Sequence, residues 1–89
     1  MTSKDVILQA EAGLHARPAA LFVKAASRFS SNVTVHFGEK KANAKSILQV
    51  LGLNARQGAS ITISADGSDE AEAVATLSDL AASDFSTAE

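Results

Sequence analysis

The sequence predicts an α+β fold, a two-layer open-faced β-sandwich in which one sheet carries helices on a single face. Three observations predict it. The apolar period switches along the chain between 2 and 3.6 residues, which gives the element order β-α-β-β-α-β-α. Thr34, His36, Thr62 and Ser64 fall on the polar side of their strands. One sheet face is therefore wet, which favours an antiparallel or mixed sheet with all helices on the other face. Finally, the 89 residues show no linker, repeat or low-complexity tract, so residues 1–89 form a single domain.

Each element has its own signal. Val6, Leu8 and Ala10 alternate with Ile7 and Gln9 to give a first strand. From about Ala16 to Arg28 a helix is expected, because Ala19, Phe22, Val23, Ala26 and Phe29 recur on one helical face. Ser30-Ser31-Asn32 breaks it. Val33, Val35 and Phe37 alternate with Thr34 and His36 in a half-buried strand. Gly38-Glu39 suits a two-residue type II′ turn, with Gly supplying the positive φ, and Lys40 to Asn43 then pairs back. Ser46-x-x-Gln49 reads as a capping box in which each residue caps the other, opening a short helix from Ile47 to about Leu51. Gly52 and Gly58 punctuate its exit. Ile61, Ile63 and Ala65 make the last strand, and Asp66-Gly67-Ser68 a turn. The final helix runs from about Asp69 to Ala81-Ala82 with Val74, Leu77 and Leu80 toward the core. Asp69, Glu70 and Glu72 match its dipole and are otherwise expected on a solvated face.

Composition excludes several functions. A chain of 89 residues builds one small core and no deep pocket for a large cofactor, and none is expected. With no Cys and two His, a structural metal site and redox chemistry are not expected. A net charge of −2 argues against a nucleic-acid partner. Lys24, Lys45 and Arg56 interrupt every candidate membrane span, so no direct membrane insertion is expected. Met1-Thr2-Ser3-Lys4-Asp5 lacks the apolar core of a secretory signal, which points to the cytoplasm. No lysine follows a Gly-rich run, so there is no Walker-type nucleotide loop.

The segment Gly13-Leu14-His15-Ala16-Arg17-Pro18-Ala19-Ala20 carries the chemistry. Pro18 fits only the first turn of a helix, which places His15 at or next to the N-cap. Histidine is a poor cap where Ser, Asp or Asn would be expected. The free N–H groups at the helix start favour an anion and oppose a second positive charge, so the imidazole stays neutral and nucleophilic. Arg17 adds a planar fork suited to phosphoryl oxygens. His15 as nucleophile, Ala16 as backbone amide and Arg17 as clamp would accept a phosphoryl group. From spacing alone, His15 is equally well a surface histidine that precedes a helix. His36 reads as an exposed strand histidine. Lys40, Lys41 and Lys45 suit either a docking patch or the protection of an edge strand. Ile47, Leu48 and Leu51 cannot all be buried by a turn and a half of helix.

The His-Ala-Arg-Pro motif at residues 15–18, Lys45-Ser46-Ile47-Leu48, Gly58, Ile61-Thr62-Ile63-Ser64-Ala65 and Gly67 together resemble the HPr family over essentially the whole chain. These are the histidine-containing phosphocarriers of the bacterial phosphoenolpyruvate-dependent sugar phosphotransferase system. The resemblance implies a four-stranded sheet of order 1-4-2-3 with three helices on one face. It implies a carrier rather than an enzyme: His15 takes a phosphoryl group on Nδ1 from phosphorylated enzyme I and passes it to IIA domains or proteins of sugar permeases, while Arg17 steadies it. Ser46 matches the residue that a dedicated kinase phosphorylates in many Gram-positive relatives, so a serine kinase/phosphatase is a further implied partner. Docking is implied at the start of the first helix and on the second: Ala16, Arg17, Ala20, Leu21, Lys24 and Ser27 from the one, Ile47, Leu48 and Leu51 from the other, with Lys45 on the rim.

Two positions depart from the family pattern. Ala12 stands where many relatives have Asn or Ser, and Ser27 where some have a basic residue. The alternatives are the paralogous carrier of the nitrogen-related branch and a regulatory module of the same fold that is not phosphorylated. Leu14 and Lys45-Ser46-Ile47-Leu48 favour the sugar branch, and His15 with Arg17 favours a working carrier.

Overall fold

The computed structural model describes residues 1–9 and 16–82, with Ala16 and Arg17 described by their backbone alone. Four strands and three helices follow in the expected order: β1 (Thr2–Ile7), α1 (Ala16–Ala26), β2 (Asn32–Phe37), β3 (Lys40–Asn43), α2 (Ile47–Gly52), β4 (Ser60–Asp66) and α3 (Glu70–Ala82). The strands form one antiparallel sheet of order β1-β4-β2-β3. β4 is central because Ile61, Ile63 and Ala65 bury one side of it while its backbone pairs with β1 and β2. The sheet's inner side and the helices enclose Phe22, Leu8, Leu53, Ile61, Ile63 and Leu77. On the outer side Asp5, Thr62, His36 and Lys41 lie opposite one another in a single row across all four strands. His36 is thus a half-buried member of a polar sheet face.

The β2–β3 hairpin turns as its residues dictate. Gly38 has φ 61° and Glu39 is not in the positive-φ region, the pattern of a type II′ turn. The first strand differs from the expectation. It runs from Thr2 to Ile7 rather than from Val6 onward, and Ala10 lies outside the described residues. β1 is an edge strand, defined by its backbone pairing from Thr2↔Ala65 to Ile7↔Ser60, and its polar first half carries no alternation to read. Leu8 continues it inward: fully buried, it donates to the Ala59 carbonyl and accepts from the Gly58 N–H, both at 2.9 Å. α1 closes two residues early. The N–H groups of Arg28 and Phe29 bond to the third carbonyl back, a tightening that satisfies the last carbonyls of the helix.

Of the three acids at the head of α3, Glu72 is exposed as expected, whereas Asp69 and Glu70 depart from the expected solvated face. Asp69 accepts the backbone N–H groups of Ser30 at 2.9 Å and Ser31 at 3.0 Å, together with the Ser31 hydroxyl. It ties the α1–β2 turn to the β4–α3 turn. The two segments approach so closely that a Cβ on Gly67 would stand 2.7 Å from the Ser31 Cα. Glu70 accepts the Thr2 hydroxyl at 2.6 Å and pairs with the Met1 amino group at 3.0 Å.

These contacts have a pH signature. The Ser31 hydroxyl, then the Ser30 amide, hold the Asp69 carboxyl down at about 2. A depressed carboxyl adds stability that is complete above its unfolded value near 4 and is lost as pH falls through the folded value. The stability gap between the wild type and Asp69→Asn is therefore expected to be widest near neutrality. It should narrow from about pH 5 toward pH 2. Urea unfolding at a series of pH values measures this, and a gap that stays constant with pH would contradict it.

Candidate functional site

α1 begins at Ala16, so in sequence His15 directly precedes its first residue. His15, together with Ala12, Gly13 and Leu14, lies outside the described residues, and the Arg17 side chain is not described. The backbone at this end is set. Ala16, Arg17 and Pro18 occupy the first turn, where proline's missing N–H costs no helical bond. No acidic residue stands in that turn to offset the dipole, while Lys24 stands in the last turn. The start of α1 is thus a positive helix end free of any carboxylate of its own.

α2 packs beside α1 and supplies the second half of the surface. Ser46 caps it in an extended conformation (φ −116°, ψ 112°), and its hydroxyl accepts from the Gln49 N–H at 3.4 Å. The reciprocal half of the expected capping box is absent. The Ser46 N–H already donates to the Asn43 carbonyl, and the Gln49 Oε1 accepts from the Asn43 N–H at 2.8 Å. Gln49 therefore ties α2 to the end of β3 rather than to its own cap.

The ambiguity of α2's apolar residues is resolved by burial. Val50 is fully buried, whereas Ile47, Leu48 and Leu51 are exposed by 40%, 81% and 36%. On the neighbouring α1, Leu21 is half-buried while Ala20 and Lys24 are exposed, as is Ser27 just beyond its end. Two expected docking residues are engaged within the fold. The Ser27 hydroxyl donates back to the Val23 carbonyl at 2.8 Å. The Lys45 ammonium donates to the Phe29 carbonyl at 2.7 Å, pinning the loop before α2 to the exit of α1. Neither bond is visible in the sequence, because each depends on where the helix ends. Among the described residues no cluster of His, Asp and Glu could hold a metal ion, and no helix is long and apolar enough to cross a membrane.

A helix start preceded by histidine, beside a short helix with an exposed apolar face, can be compared with known proteins. The family model described as the PTS HPr component phosphorylation site matches residues 2–83. The chain belongs to the HPr family. It is 54% identical over 77 residues to the phosphocarrier protein HPr of Haemophilus influenzae, covering 86% of this chain and 91% of that one. Among solved structures it is similar to HPr-C-His from Thermoanaerobacter tengcongensis, with TM-score 0.92, 47% identity and 96% of each chain covered. It is also similar to the phosphocarrier protein HPr of Bacillus anthracis, with TM-score 0.88, 40% identity, and 90% of this chain and 95% of that one covered. The sheet order β1-β4-β2-β3 with three helices is the HPr architecture. Phosphotransferase and phosphocarrier are thus the terms that describe this chain's class.

Proposed function

We propose that the chain accepts a phosphoryl group on His15 from phosphorylated enzyme I and passes it to IIA domains or proteins of sugar permeases. The observation that carries this reading is the family match across residues 2–83, with His15 immediately before the first residue of α1. In the forward step the neutral imidazole Nδ1 attacks phosphorus. The N–P bond forms as the donor's bond to phosphorus breaks. In the second step a IIA nucleophile attacks the same phosphorus, and His15 leaves with the electron pair. The N–H groups at the start of α1 and the Arg17 fork stabilise the oxygens of the group in flight. Catalysis is shared with the partners, and the working location is the cytoplasm.

Docking is assigned to Ala16, Arg17, Ala20, Leu21 and Lys24 of α1 with Ile47, Leu48 and Leu51 of α2. The exposure of Leu48, 81% on a helix whose neighbour Val50 is fully buried, supports this reading. An apolar side chain so placed gains free energy only when a partner covers it. Leu48→Ala should weaken enzyme I binding by about 1–2 kcal/mol, as for a central apolar contact. Calorimetric titration measures it; unchanged affinity, or a footprint on the outer sheet face around Thr34 and Thr62, would remove the patch. The relay itself is tested by passing labelled phosphoryl from phosphoenolpyruvate through enzyme I to this chain and then to a IIA protein. Label should reach the IIA protein only when the chain is present. Direct labelling of the IIA protein without the chain, or label that stays on the chain, would contradict the carrier reading.

A further inference from the structure

The sheet is notched at one corner. β3 ends at Asn43, opposite Thr34, and leaves Asn32 of β2 beyond its last pair. Gln49 reaches the corner from α2, because its Oε1 accepts the Asn43 N–H at 2.8 Å. The notch, of about 260 Å³, is lined by Asn32, Val33, Thr34, Lys41, Asn43 and Gln49. The two amide side chains that close it have only one possible orientation. The backbone N–H of Lys45 requires an acceptor, so the atom it meets at 3.0 Å is the Asn43 Oδ1. The Asn43 N–H fixes the Gln49 Oε1 in the same way. With both oxygens engaged, each side chain is left with its NH2 as the unengaged end. Lys41 adds an ammonium, with no carboxylate of the described residues within ion-pair distance. Thr34 adds a hydroxyl, and no acid lines the notch. Asp66, the acid nearest in register, stands opposite Asn32 on the β4 side of β2, away from β3. The notch thus presents surplus N–H donors around one positive charge, an arrangement that fits an oxyanion.

We propose that this notch binds a small phosphate monoester. Lys41 supplies the compact charge, and the NH2 groups of Asn43 and Gln49 with the Thr34 hydroxyl hold the phosphoryl oxygens. These donors arrive from β3, α2 and β2, which suits a tetrahedral group with three terminal oxygens better than a planar carboxylate with two. The volume of about 260 Å³ lies below the roughly 300–1,000 Å³ of pockets for drug-sized ligands, so the organic part is limited to a few carbons. The site includes none of residues 12–18, and the ligand is held by charge and hydrogen bonds with no bond made or broken.

The test is an NMR titration of the chain with glycerol 3-phosphate and, separately, with inorganic phosphate, at constant ionic strength. It reads the backbone amides and the side-chain NH2 signals of Asn43 and Gln49. Both probes should move these signals saturably, with half-saturation on the order of millimolar, as expected for a few polar contacts. Acetate, the planar alternative, should bind severalfold more weakly; equal binding would overturn the assignment to phosphate. Asn43→Asp and Gln49→Glu keep the oxygen that accepts the backbone N–H and replace the NH2 by a second, negative oxygen. Each should abolish the shifts at the notch while the melting temperature stays near that of the wild type. Lys41→Gln, an exposed change that leaves both ties in place, should weaken binding severalfold. Shifts confined to the start of α1, or an affinity unaltered in Asn43→Asp and Lys41→Gln, overturn the proposal.

Discussion

His15→Ala should lose phosphoryl acceptance to the detection limit while its melting temperature stays close to that of the wild type. The two halves of this expectation have different origins. Acceptance requires a neutral nitrogen nucleophile at the start of α1, and alanine offers none. Stability should be spared because His15 comes directly before α1 in sequence and histidine caps a helix poorly, so little depends on the ring there. The core that holds the fold, from Phe22 and Leu8 to Ile61 and Leu77, is untouched. Incubation of the variant with enzyme I, phosphoenolpyruvate and Mg²⁺, followed by intact mass and thermal melting, measures both. Acid-labile phosphate on the variant would transfer suspicion to His36, which lies on the outer sheet face in a row with Thr62 and Lys41.

Ser46→Asp should leave the fold intact and weaken enzyme I binding severalfold or more. Aspartate caps a helix as well as serine does, so the bond to the Gln49 N–H has a replacement acceptor and the negative charge suits the helix start. On the surface the sign reverses. The new charge stands directly before Ile47 and Leu48, which are exposed by 40% and 81%. Docking over these side chains would have to desolvate that charge. Ser46→Asn separates the two effects, because it caps without charge and should bind as the wild type does. Phosphorylation of Ser46 would bring about −1.5 to −2 charges to the same place and act more strongly. Equal affinities for Ser46→Asp and the wild type would leave Ser46 as a helix cap alone.

How much of this was legible in the sequence depends on the range of each interaction. β2 and β4 were plain because Val33, Val35, Ile61, Ile63 and Ala65 alternate with polar residues on a sheet buried on one side. The start of β1 is not legible there, because it is held by edge pairing to β4 and not by a run of apolar side chains. The boundaries of α2 follow from Ser46, yet the partner of Gln49 does not, since the N–H expected to meet it is already bonded to Asn43. Asp69 shows the same limit. In sequence it is an acid at a helix start, a role explained by the dipole alone. In the fold it closes a junction with Ser30 and Ser31, which lie 39 and 38 residues earlier. The family signature is legible because it is local: histidine, arginine and proline fall within four residues, inside the matched range 2–83.

The central claim, that this chain carries a phosphoryl group on His15, is tested most directly by intact mass after incubation with enzyme I, phosphoenolpyruvate and Mg²⁺. The account predicts the addition of one phosphoryl group. It should be lost on brief acid treatment and kept in alkali, as befits a nitrogen–phosphorus bond, with fragmentation placing it on His15. No added mass, or an acid-stable phosphate on a serine or threonine, would contradict it.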